Sequence, residues 1–239
     1  MKRELLFLIL AAAVLLSGCG AGTSEPTPAP EPAPTATAVP TPAPTEDPTP
    51  TPEPTPAPPA GEELPGTVDK RVYTNRYFSL GCELEPNWTY YTRAQIEELT
   101  DMARQGMDES TSAAFDEVLG EGGAAYCMVA SANKLNLNMA VQRADGTDPE
   151  SALTDSAGEL TAALESAGLT GAVTETGTVT FAGRSCPGLT VSGTLNGQPR
   201  CIRCTAVEAW GYIAVVSASA PSAEEAADIL AHWYALETE

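Results

Sequence analysis

Apolar residues are distributed along this chain in three regimes. Residues 5–16 form an unbroken apolar run with no period. Residues 22–65 hold almost no large apolar side chain, only Val39 and Leu64. Beyond Gly66 the apolar positions become periodic, first with period two. Phe78, Leu80, Cys82 and Leu84 alternate with Ser79, Gly81 and Glu83, so 77–85 is expected as a half-buried strand ended by Pro86. The period then changes to three and four. Thr92 and Gln95 stand in capping-box spacing ahead of Ile96 and Leu99, predicting a helix that Gly106 stops, and a second short helix is expected over 112–119.

Residues 124–132 and Leu135–Arg143 form two apolar, alternating runs around Asn133-Lys134, which predicts a hairpin. Asp148 is placed to cap a helix with Pro149 at its first position. Leu153, Ala157, Leu160, Leu164 and Ala167 then give one apolar stripe before Gly168. Segments 178–182 and 189–195 are expected as strands, and Asn196-Gly197 is the residue pair that most favours a type I′ turn. That turn fixes a register in which Leu195 faces Gln198, Gly193 faces Arg200, Val191 faces Ile202 and Leu189 faces Cys204. After a turn at Trp210-Gly211, residues 212–218 are small and apolar on both faces, as in a central strand covered on both sides. Ser222 with Glu225 caps a last helix expected to bury Ala226, Ile229 or Leu230, Trp233 and Leu236.

The predicted fold class is α+β, an antiparallel sheet flanked by helices on both faces. The element order, with a Phe78-x-Leu80 strand running into Pro86-x-Trp88, resembles the Mog1/PsbP-like domain and, more loosely, uncharacterised lipoproteins of Gram-positive anaerobes. That resemblance implies an α/β/α sandwich and a binding or assembly module, and it carries over no site residue.

Composition divides the chain into parts. Sixteen of its 21 prolines fall within 22–65, in repeats such as Thr49-Pro50-Thr51-Pro52. Such a segment has nothing to bury and is expected as a disordered, extended stalk, reaching on the order of 130 Å at about 3.1 Å per residue. Its Pro-x-x-Pro segments are also the kind of sequence a proline-reading module takes as ligand. Residues 66–239 are long enough for one domain. With 12 Lys+Arg against 32 Asp+Glu and no basic run, nucleic acid is a poor partner, and the acidity keeps the surface solvated.

At the other end, Lys2 and Arg3 precede the twelve-residue apolar run, the anatomy of a secretory signal and too short to span a bilayer. The run ends in Leu16-Ser17-Gly18-Cys19, which resembles the lipobox of bacterial lipoproteins. The resemblance implies removal of residues 1–18, lipid on Cys19, and attachment to the extracytoplasmic membrane face, the stalk pointing to a Gram-positive surface. An ordinary signal peptide with an incidental cysteine is the alternative.

Catalytic chemistry is thinly represented. His232 is the only histidine and is expected in the last turns of a helix, far from a nucleophile–base arrangement. No phosphate loop, dinucleotide fingerprint, zinc-protease motif or EF-hand is present, so no cofactor and no metal are expected. Five cysteines follow Cys19, and Cys201-Ile202-Arg203-Cys204 matches the redox spacing. Placed mid-strand at odd separation, Cys201 and Cys204 point to opposite faces and read as small buried hydrophobes. Trp88, Tyr90 and Tyr91 form an aromatic cluster able to stack on a sugar or peptide, or to cap the sheet edge. Two functional readings follow: a non-enzymatic surface module that binds an envelope protein, peptide or cell-wall component, and a thiol-dependent redox protein using Cys201 and Cys204.

Overall fold

The computed structural model describes residues 64–105 and 126–237. The lipobox, the stalk as far as residue 63 and the short helix expected over 112–119 lie outside the described residues; Leu64 and Pro65, expected as the end of the stalk, instead belong to the folded domain, where Leu64 is buried. The fold is mostly β. A seven-stranded sheet has the order β4-β5-β6-β10-β9-β8-β7, and a four-stranded sheet has the order β1-β2-β3-β11. The large sheet comprises β4 (Thr89–Tyr90), β5 (Tyr126–Ala132), β6 (Leu135–Arg143), β7 (Leu169–Phe181), β8 (Arg184–Leu195), β9 (Gln198–Ala209) and β10 (Tyr212–Ala220). The small one comprises β1 (Thr67–Asp69), β2 (Val72–Asn75), β3 (Leu80–Glu83) and β11 (Trp233–Ala235). Every pairing is antiparallel.

Three helices are described: α1 (Arg93–Gln105), α2 (Pro149–Ser166) and α3 (Ala223–Leu230). The expected α+β sandwich, with helices over both faces of one sheet, is therefore corrected. α1 and α2 lie on one face of the large sheet. The other face is covered mainly by the second sheet, with only the two turns of α3 beside it. Two strands of that second sheet carry no periodic signal in the sequence. β1 is three residues long and exposed throughout, and β2 alternates Tyr73 and Asn75 inward, so neither carries an apolar period.

Local chemistry explains the elements that match expectation. Asp148 accepts the Ser151 backbone N–H at 2.9 Å and its hydroxyl at 2.7 Å, bonds that hold its carboxyl below the ordinary range. Ser222 accepts the Glu225 N–H at 3.2 Å at the start of α3, and the Thr92–Gln95 box closes in both directions at α1. The Asn196-Gly197 turn, with both residues at positive φ, delivers the predicted register, including Val191 opposite Ile202 and Leu189 opposite Cys204. β10 sits between β6 and β9 and is buried on both faces.

Three boundaries differ. The strand expected over 77–85 contracts to β3, because the chain turns at Ser79 (φ 52°) and Asn75 Oδ1 accepts the Phe78 N–H at 3.1 Å. The strands expected over 178–182 and 189–195 extend to thirteen and twelve residues as one long β7–β8 hairpin. The last helix stops at Leu230. His232 accordingly lies in a connection, where its carbonyl accepts the Glu83 N–H at 3.4 Å, and Trp233 is on β11 rather than on a helix face. β11 can lie flat on β3 because Tyr234 crosses over Gly81, where any Cβ would collide with the ring.

Two cores result. Under α2, Leu153, Leu160 and Leu164 meet Leu189, Val191, Ile202, Ile213 and Val215. Between the sheets, Tyr73, Phe78, Trp88, Phe181 and Trp233 pack with Met128, Met139 and four thiols. Tyr73 and Phe181 flank Trp233 with ring centroids at 5.8 and 5.5 Å.

Candidate functional site

The aromatic cluster read from sequence sits at the β4 edge of the large sheet. β4 pairs with β5 (Thr89 with Ser131, Tyr90 with Ala130), and the Tyr91 N–H continues the ladder to Val129 O at 2.9 Å. Strand alternation sends Trp88 and Tyr90 toward the inter-sheet core and Tyr91 toward the α1 and α2 side. All three line one cleft of about 550 Å³, a size typical of small-ligand sites, together with Tyr73, Lys70 and Arg93.

The cleft is held rigidly. Tyr90 presents its hydroxyl to the carbonyls of Arg71 (3.2 Å) and Cys82 (3.1 Å), tying the small sheet to the large one. Burial, with the Cys82 thiol beside it, pushes the Tyr90 phenol well up. Behind it, the fully buried Asn75 amide donates to Leu64 O at 2.9 Å and to the Tyr73 hydroxyl at 3.0 Å, while the Tyr73 hydroxyl reaches Pro65 O at 3.1 Å. This network fixes the point where the chain enters the domain. Arg93 donates to Tyr126 O at 3.0 Å and lies 3.5 Å from Cys127 O, placing a guanidinium in the wall.

The arrangement suits binding better than reaction. Trp88 is only 9% exposed, so its ring forms wall rather than a free stacking platform; Tyr90 and Tyr91 are the half-buried rings. Cys127 lines the same cleft, but burial pushes its thiol up to about 12, leaving no thiolate at neutral pH. Sequence reading missed Tyr73, Lys70 and Arg93. Arg93 had a local signal, a basic residue directly after the Thr92 cap and next to the aromatic cluster. Tyr73 had none, since its role depends on β2 pairing with β3.

The Cys201–Cys204 pair is not brought together. Cys201 faces the inter-sheet core and Cys204 the α2 side. Ser192 Oγ lies 3.6 Å from Cys201 Sγ, and Ser217 Oγ lies 3.2 Å from Cys204 Sγ. Burial raises both thiols, Cys204 to about 11. All five described cysteines are free and buried. Among the described residues no group of three His, Cys, Asp or Glu side chains is arranged to hold a metal, and no helix is long and apolar enough to cross a membrane.

Comparison with protein-family models gives no match, and comparison with curated proteins gives none either. Among solved structures, the chain overlaps with LpqN of Mycobacterium tuberculosis, which is involved in cell envelope biogenesis. The identity is 13%, coverage is 66% of this chain and 83% of that chain, and the TM-score is 0.38, an overlap too partial to carry fold or function across.

Proposed function

We propose that this chain is a bacterial lipoprotein, cleaved before Cys19, lipidated there and held on the extracytoplasmic membrane face, where its folded domain acts as a non-enzymatic binding module at the end of a proline-rich spacer. The observation that carries the reading is the co-occurrence of Lys2 and Arg3, the apolar run 5–16 and Leu16-Ser17-Gly18-Cys19. Two acyl chains on one cysteine suffice for stable anchoring where one is marginal. The binding part is supported by the cleft at Trp88, Tyr90 and Tyr91 and by the protonated state of the thiols. Its partner is an envelope protein, peptide or cell-wall component, reached by the length of the spacer.

The anchor is tested by Cys19→Ala, which is expected to move the protein from the membrane fraction to the soluble extracytoplasmic fraction; retention in the membrane contradicts it. The binding reading is tested by a photo-crosslinking residue in place of Tyr91 in cells. One reproducible envelope adduct, absent when the same residue replaces the exposed Glu224, supports it. Identical adducts from both positions contradict it.

A further inference from the structure

A second cleft, of about 450 Å³, lies between α3, β9 and the turn of the β7–β8 hairpin. Its walls include Val179, Ala182 and Leu230, with Arg203, Asp228 and Trp233 as the groups able to recognise polarity. Two donors here are orphans. Trp233 Nε1 and Arg203 Nε are both buried and have no hydrogen-bond partner among the described residues.

A buried N–H without an acceptor costs stability, and native proteins seldom tolerate one unless function uses it. Here two occur in residues that line one cleft. Both are carried on paired strands. The Trp233 indole is wedged between Tyr73 and Phe181 and its backbone pairs with Cys82. The Arg203 backbone is fixed by pairing with Thr190 and Ala218 on either side, and strand alternation sends its side chain to the Cys201 face rather than the α2 face. A guanidinium and an indole N–H lining one cleft suit a ligand with two acceptor oxygens and a negative charge, which is a carboxylate. The aliphatic walls ask for a short branched hydrocarbon.

Asp228 on α3 narrows the choice. A carboxylate alone meets this side chain and the field of a chain whose net charge is −20. A ligand that carries an ammonium beside its carboxylate has no net charge, satisfies Arg203 and Trp233 with one end and faces Asp228 with the other. We infer that this cleft is a binding site for a free aliphatic amino acid, its carboxylate on Arg203 and Trp233 Nε1 and its ammonium toward Asp228. The site is separate from the Trp88–Tyr91 cleft and does not depend on the lipid anchor.

The test uses the full chain in detergent, labelled with nitrogen-15. Its three tryptophans give three indole N–H signals, and Trp233→Phe identifies the one that matters. Leucine is expected to move the Trp233 signal saturably while those of Trp88 and Trp210 stay, and Arg203→Gln is expected to abolish the movement. N-acetyl-leucine, which lacks the ammonium, and isoamylamine, which lacks the carboxylate, are each expected to bind at least about tenfold more weakly. Should Arg203→Gln fail to fold, the exposed Asp228→Asn serves instead, weakening leucine about tenfold and leaving N-acetyl-leucine unchanged. The inference is overturned if leucine leaves the Trp233 signal in place, if sodium chloride at the same concentration moves it equally, or if the leucine response survives both substitutions.

Discussion

The two faces of the seven-stranded sheet are built from different materials. Where α2 lies over β7 to β9, contact is made by leucine, isoleucine, valine and alanine, with Cys204 as the one sulfur. Against the small sheet the layer is aromatic and sulfur-rich, is threaded by the Asn75 network, and borders both clefts. An aliphatic layer sets register and stability, because any slip turns polar side chains inward. A layer that includes fixed polar atoms at its margins can also recognise something. Both proposed sites border this inter-sheet layer.

The largest expected effect breaks that side mechanically. Phe181→Ala removes a ring packed on Trp233 and is expected to cost about 3–5 kcal/mol, against about 2–5 for Leu160→Ala under α2. Urea denaturation of both variants measures the two losses, and a loss for Phe181→Ala below about 2 kcal/mol contradicts the view that the inter-sheet layer is tightly packed. Next comes the polar network. Asn75→Ala strands Leu64 O and the Phe78 N–H, with an expected loss of about 3 kcal/mol and faster hydrogen exchange at Phe78. Unchanged exchange there contradicts the network's role.

Alkaline pH sharpens the contrast further. Burial raises Cys82 and Cys127 to about 12 and Cys204 to about 11, against 9.0 in the unfolded chain. Below pH 9 each thiol is protonated in both states and the full stability is present. Above it the unfolded chain loses protons first, so stability falls by about 1.4 kcal/mol per pH unit per thiol until the folded value is passed. Cys82→Ala is expected to remove a decline that runs to about pH 12, and Cys204→Ala one that ends near pH 11; declines ending at the same pH contradict the difference between the layers. The smallest effect is local. Ser222→Ala removes the cap of α3 and is expected to cost about 1 kcal/mol, with little change at α2.

The helix-side face was largely legible in the sequence. The α2 stripe, its Asp148 cap and the Asn196-Gly197 register all follow from residues close together in the chain, where period and turn chemistry operate. Of the small sheet only β3 was legible, through its alternation of Leu80 and Cys82 with Gly81 and Glu83, and there is a physical reason for the rest. The sheet joins β3 near the start of the domain to β11 near its end, and β1, β2 and β11 are held by pairing rather than by apolar alternation. Trp233 illustrates this: its spacing from Ala226 and Ile229 fits a helix, yet pairing with Cys82 makes it strand. β7 was read short because its middle is an exposed edge of Thr, Glu and Gly, with only Val179 and Phe181 buried at its far end. Of the candidate site, the aromatic cluster was visible as a run, whereas the charges that complete it and the orphan donors of the second cleft depend on distant segments meeting.

Whether the domain is a lipid-tethered module, as proposed, is tested most directly by mass spectrometry of the mature protein's N-terminus. The account predicts a first residue of Cys19 carrying a thioether-linked diacylglycerol. A chain that retains residues 1–18, or is cut elsewhere with an unmodified Cys19 thiol, contradicts it.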